Sequence, residues 1–113
     1  MDFKTEKYND ILVLYVSLTR ATFNESEKFK TFLSNEIGNG SAKLVVDLSE
    51  CEFVDSSFLG ALVVNLKKAT ALGGDIKLSG LQSAVNSMFE LTRMNRAFEI
   101  FRTKNEALNA FTK

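Results

Sequence analysis

Strand-forming and helix-forming runs alternate along this chain, and that alternation restricts the fold more than any other property of the sequence. Ile11-Leu12-Val13-Leu14-Tyr15-Val16 is almost continuously apolar and rich in strand formers, which marks a central strand. Lys43–Asp47 and Asp75–Leu78 read as further strands, Phe98–Phe101 as a short last one, and Phe3–Lys7 as an edge strand joined to Ile11 by a turn at Asn9-Asp10. Between them, Phe29, Phe32, Leu33 and Ile37 recur at helical spacing, as do Leu59, Leu62, Val63, Leu66 and Ala69. Ser83–Leu91 predicts a third helix with Val85, Met88 and Phe89 inward, and Asn105–Phe111 a fourth with Ala107, Leu108 and Phe111 inward. Asn24 and Glu27 suit a capping-box-like start for the first helix. Gly38-Asn39-Gly40 ends it and Gly73-Gly74 ends the second, because glycine readily takes the left-handed conformation beyond a helix terminus.

This order predicts an α/β fold: a mixed, mainly parallel sheet of four to five strands with about four helices, opened by an antiparallel hairpin. Residues 1–113 read as a single domain. A chain of this size buries roughly 65% of its unfolded surface, enough for one core.

Charge and residue usage narrow the function. Lys and Arg together number 14, and so do Asp and Glu, so the basic excess of a dedicated nucleic-acid binder is missing and no direct nucleic-acid partner is expected. The longest apolar runs, Ile11–Leu18 and Phe58–Leu66, fall far short of the ~20 residues of a spanning helix, so no membrane partner is expected either. The charged start, Met1 to Lys7, lacks the apolar segment of a signal peptide. A lone cysteine, Cys51, forms no internal disulfide, which suits a cytoplasmic location and reads as a small buried hydrophobe. There is no histidine, which removes the usual general base and the commonest metal ligand. With no dense carboxylate loop either, neither a metal nor a cofactor is expected.

The most informative local feature is Asp55-Ser56-Ser57, a hydroxyl-rich turn between the strand at Lys43–Asp47 with its connector, Glu50 to Val54, and the amphipathic run from Phe58. Asp and Ser are favoured helix N-caps because their side-chain oxygens accept bonds from unpaired N–H groups. The same turn presents a serine hydroxyl at the positive end of a helix dipole, where a phosphate is electrostatically welcome. Asp47 and Ser49 sit at the carboxyl end of a strand, where open α/β sheets place their sites, and equally suit a plain turn. Phe58 either packs under the preceding loop or stands exposed as a docking anchor. Arg93 and Arg96 read as a solvated basic turn.

Asp47-Leu48-Ser49, then Phe53-Val54-Asp55-Ser56-Ser57, then Leu59-Gly60 resembles the signature of STAS domains, and within them the anti-sigma factor antagonists: D-x-S, a short spacer, a hydrophobe, then D-S-[ST]-G-x-G. The resemblance covers nearly the whole chain. Gly73-Gly74-Asp75-Ile76-Lys77-Leu78 looks like the family's glycine pair before a core strand, and Phe98-Glu99-Ile100-Phe101 like its last strand, though these later matches are less specific. Phe58 replaces the family's first glycine and Gly60 keeps the second. Before the first helix the family often has G-x-[LI]-D, where this chain has Arg20-Ala21-Thr22.

The resemblance implies a phospho-switchable binding module. Unphosphorylated, it would sequester a serine-kinase anti-sigma factor and release a sigma factor. Phosphorylation of Ser56 would end the interaction and a serine phosphatase would restore it. The implied partner surface comprises Asp55, Ser56, Ser57, Phe58, Thr22, Asn24, Asp47 and Ser49, on a monomer or weak dimer. The alternative within the family is a non-phosphorylated scaffold or adaptor, stressosome-like or accessory to a transport ATPase. Catalysis is disfavoured: no histidine completes a triad, and neither G-x-S-x-G nor a P-loop is present.

Overall fold

In the computed structural model, which describes residues 2–112, the chain opens with a hairpin of β1 (Phe3–Tyr8) and β2 (Ile11–Val16). Asn9 turns it with a positive φ of 57°, a conformation asparagine tolerates well. There follow β3 (Arg20–Ala21), α1 (Phe23–Gly38), β4 (Lys43–Asp47), β5 (Phe53–Val54), α2 (Ser56–Ala71), β6 (Asp75–Ser79), α3 (Ser83–Leu91), a 3₁₀ turn at Met94–Arg96, β7 (Ile100–Phe101) and α4 (Lys104–Phe111). The main sheet runs β1-β2-β4-β6-β7, antiparallel between β1 and β2 and parallel elsewhere. This is the expected mixed α/β sheet with four helices.

Strand alternation divides the apolar residues between two faces. Leu12, Leu14, Val16, Leu44, Val46, Ile76 and Leu78 pack with α1, α2 and α3 into the main core. Ile11, Val13 and Val45 form a smaller cluster with Ala107 of α4, flanked by Leu108 and Phe111. Lys77 is buried on this second face. Its ammonium bonds Asp75 at 3.1 Å and Glu99, and lies 4.7 Å from the Phe111 ring centre.

Two features depart from the residue pattern, and a third decides an alternative that the pattern left open. The first is a two-stranded parallel sheet of β3 and β5, formed inside segments that read as connectors. The second is the last strand, which is shorter than Phe98–Phe101: Phe98 is instead buried and meets Phe89 edge-on. The third is Phe58. Its side chain is fully buried and stacks on Phe29 of α1, ring centres 4.3 Å apart. Phe29 in turn touches Phe3 at 5.5 Å. The bulk that replaces the family's glycine therefore joins α2 to α1, and Phe58 is not an exposed anchor.

This packing sets the size of the Phe58→Ala effect. Removing a fully buried ring in a stacked aromatic chain should cost about 3–5 kcal/mol. Denaturant unfolding of the variant should show that loss as a lower midpoint at unchanged slope. A loss below about 1 kcal/mol would mean that the ring is not packed as described.

Candidate partner-binding site

The two longest helices of the main core start side by side, and one carboxylate holds both starts. Asp55 is the N-cap of α2: its Oδ1 accepts the Phe58 N–H at 3.1 Å. Its Oδ2 accepts the N–H of Phe23, the first residue of α1, at 2.9 Å. The Asp55 backbone N–H donates to Ala21 O at 3.2 Å, continuing the β3–β5 pairing. Each helix leaves its first N–H groups unpaired, and a negative charge is favourable at both dipole ends, so one side chain satisfies two helices.

α1 has its own cap as well. Glu25 Oε1 accepts from the Thr22 N–H at 2.9 Å and from the Thr22 hydroxyl at 3.0 Å. The capping pair is thus Thr22–Glu25, two residues earlier than the expected Asn24–Glu27. Asn24 lies inside the first turn and is exposed.

Because Asp55 takes the cap, Ser56 is the first helical residue and is exposed to solvent, while Ser57 is half-buried. Beside them lie the parallel helix faces, which leave a groove lined by Ser26, Glu27, Lys30, Ser57, Gly60 and Val64. Further along, buried Asn65 fastens the helices together. Its Oδ1 accepts from Ser34 Oγ at 2.7 Å, and its Nδ2 donates to Lys30 O at 3.3 Å and Ala61 O at 3.0 Å. The exposed aromatic sought at Phe58 is instead Phe23, which is 73% exposed. On the small sheet, the Arg20 guanidinium lies over the Phe53 ring at 4.6 Å, a cation–π contact.

Thr22, Asn24, Asp55, Ser56 and Ser57 are therefore brought together at the starts of α1 and α2. Asp47 and Ser49 are not part of this group. Asp47 is buried, and its oxygens accept from the Ser49 N–H at 3.1 Å, the Ser49 hydroxyl at 2.5 Å and the Ser79 hydroxyl at 2.8 Å. It braces the turn after β4 and offers no surface to a partner. Ser49 is exposed, and its carbonyl accepts from Gln82 at 2.8 Å, towards α3.

Cys51 is fully buried, and burial pushes its thiol up to about 12, so it stays protonated and unreactive at neutral pH. Arg93 and Arg96 are exposed on the turn after α3. Among the described residues, no three Cys, Asp or Glu side chains gather as metal ligands, and no helix is long and apolar enough to cross a membrane.

A family model described as the STAS domain matches residues 2–107. The chain is 33% identical over 81 residues to a protein of Thermotoga neapolitana named as a candidate anti-sigma factor antagonist, covering 71% of this chain and 72% of that one. A similarly named protein of Thermotoga maritima is 29% identical over 103 residues, 90% of this chain and 91% of that one. A crystal structure of a candidate anti-sigma factor antagonist from Thermotoga maritima superposes with a TM-score of 0.90 at 25% identity, covering 98% of this chain and 95% of that one.

Gly60 gives this surface a test. It is exposed in mid-helix, and a Cβ built there meets nothing within 4 Å. The fold has no need of a glycine at this position. Gly60→Ala should therefore raise stability by about 0.5–1 kcal/mol through helix propensity. Thermal melting reads the gain, and a lower melting temperature would show a packing role for Gly60.

Proposed function

This chain belongs to the STAS domain family, and from that premise we propose that it is an anti-sigma factor antagonist switched by phosphorylation of Ser56. Acting as one STAS domain in the cytoplasm, the unphosphorylated protein binds a serine-kinase anti-sigma factor through the starts of α1 and α2. The kinase transfers the γ-phosphoryl group of ATP to Ser56 Oγ; the hydroxyl proton is lost and ADP leaves. A serine phosphatase hydrolyses the ester, returning the hydroxyl and inorganic phosphate.

The observation that carries this reading is the division of labour at the turn. Asp55 occupies the cap, so Ser56 is left exposed at the first helical position. Burial of the Phe58 ring supports it too, because that bulk points into the core rather than over the hydroxyl. The names of the two Thermotoga relatives agree with the same function.

Phosphorylation adds about −1.5 to −2 charges at neutral pH. Two opposing forces act on them. The dipole of α2 favours the phosphate, and the neighbouring Asp55 carboxylate repels it. Both act near solvent, where screening keeps each small, so the domain stays folded and the switch works at the interface. Phe23 supplies the exposed aromatic anchor for the kinase, and Gly60 lets the kinase approach α2 closely along the groove.

Incubation with the cognate kinase and ATP should add one phosphate, and Ser56→Ala should abolish it. Ser56→Asp should lose kinase binding with a stability change within about 1 kcal/mol. Phe23→Ala should weaken binding by about 2 kcal/mol with the melt unchanged. Phosphate mapped to Ser57, or none incorporated, would overturn the assignment. A non-phosphorylated adaptor would then be the better reading.

A further inference from the structure

β1 is an outer strand of the main sheet, and its free edge is long, regular and self-complementary. It pairs with β2 without a bulge from Phe3–Val16 to Tyr8–Ile11, and the chain contains no proline to blunt it. Ser17 N–H donates to Asp2 O at 2.7 Å, which identifies Asp2–Ser17 as a hydrogen-bonded pair of the ladder. Alternation then makes Lys4–Tyr15, Glu6–Val13 and Tyr8–Ile11 hydrogen-bonded pairs as well. The N–H and C=O groups of Phe3, Thr5 and Lys7 consequently point outward, away from β2.

We propose that this edge is a homodimer interface, with β1 of two copies pairing antiparallel about a two-fold axis at Thr5. In this register, Thr5 faces Thr5 of the partner subunit, and Phe3 faces Lys7 of the partner subunit. These are the residues whose backbone groups are free, so the hydrogen-bond pattern of the edge is met without distortion. Between them, Lys4 faces Glu6 of the partner subunit twice by symmetry, at positions of close side-chain approach. Lysine on an edge strand ordinarily discourages pairing; here the partner supplies its counter-charge.

The charge pattern selects this register. A slip of one residue puts facing side chains on opposite sides of the sheet. A further step in the two-fold register sets Glu6 against Glu6 of the partner subunit, or Lys4 against Lys4 of the partner subunit. Glu6 is preset for its role. Both the Tyr8 hydroxyl, at 2.8 Å, and the Tyr15 hydroxyl, at 2.6 Å, donate to its Oε1, and the Lys104 ammonium lies 3.9 Å from that same atom. These contacts hold its carboxyl below the usual range and leave Oε2 to the incoming lysine. On the helix side of the edge, half-buried Phe32 packs at 5.4 Å on the Phe3 ring, which is already buried, and the second copy would cover what remains open of Phe32.

Sedimentation of the chain over a concentration series tests the proposal. Wild type should show a monomer–dimer equilibrium that weakens with added salt. Lys4→Glu and Glu6→Lys should each raise the dimer dissociation constant about tenfold or more, since two opposite-charge pairs become like-charge pairs. An equimolar mixture of the two variants should restore dimers as heterodimers. Thr5→Pro should give a monomer with an unchanged melt, because the N–H it removes faces outward. That variant and Lys4→Glu keep the test intact if Glu6→Lys loses its tyrosine bonds and unfolds. A wild-type chain that stays monomeric up to its solubility limit would overturn the proposal, as would a dimer indifferent to Thr5→Pro.

Discussion

A single carboxylate organises the functional end of this molecule. Asp55 accepts an amide from the first turn of α2 and another from the first residue of α1, while its own N–H extends the β3–β5 pairing. Charge-assisted bonds of this kind are worth more than neutral ones, and here both also neutralise the positive end of a dipole. The β3–β5 pairing brings the two helix starts to one point, and the Asp55 side chain ties them there. Behind it, the Phe58–Phe29 stack and the Asn65 bonds keep the two helices in register. Ser56, next to the residue that takes the cap, is exposed at the first helical position.

The main sheet was largely legible in the residues. Ile11–Val16 and Lys43–Asp47 are too short and too rich in β-branched residues to be helices, and glycines mark where α1 and α2 end. The small sheet was not legible, because two-residue strands have no periodicity; Arg20-Ala21 and Phe53-Val54 become strands only by pairing with each other. The cap of α1 was expected two residues too late, at Asn24–Glu27, for a different reason. Thr22-x-x-Glu25 and Asn24-x-x-Glu27 both fit the pattern, and burial of Ala21 in β3 fixes the start of the helix at the earlier pair.

Among the site residues, Asp55, Ser56 and Ser57 were marked by residue type alone. The orientation of Phe58 was left open by its residue type; the structure puts it on the inward face of α2, with Leu62 four residues on and Ala69 eleven. Burial of Asp47 was not readable. It depends on the register that sets Asp47 beside Ser79, which no local pattern encodes. Phe23 lay within a stretch expected at the partner surface, but its exposure follows from its place at the first helical position, which only the corrected cap reveals.

The account stands or falls on the Asp55 bridge, and amide hydrogen exchange reads it directly. In the wild-type protein the N–H groups of Phe23 and Phe58 should exchange slowly, although both begin helices. In Asp55→Ala both should speed up together by about tenfold or more, corresponding to loss of a charge-assisted bond at each. Amides in β2, β4 and β6 should keep their protection relative to the global stability of the variant. If Phe58 alone responds, Asp55 is an ordinary cap and the two helices are held together by packing. If neither responds, the bridge is not formed in solution and the central claim is wrong.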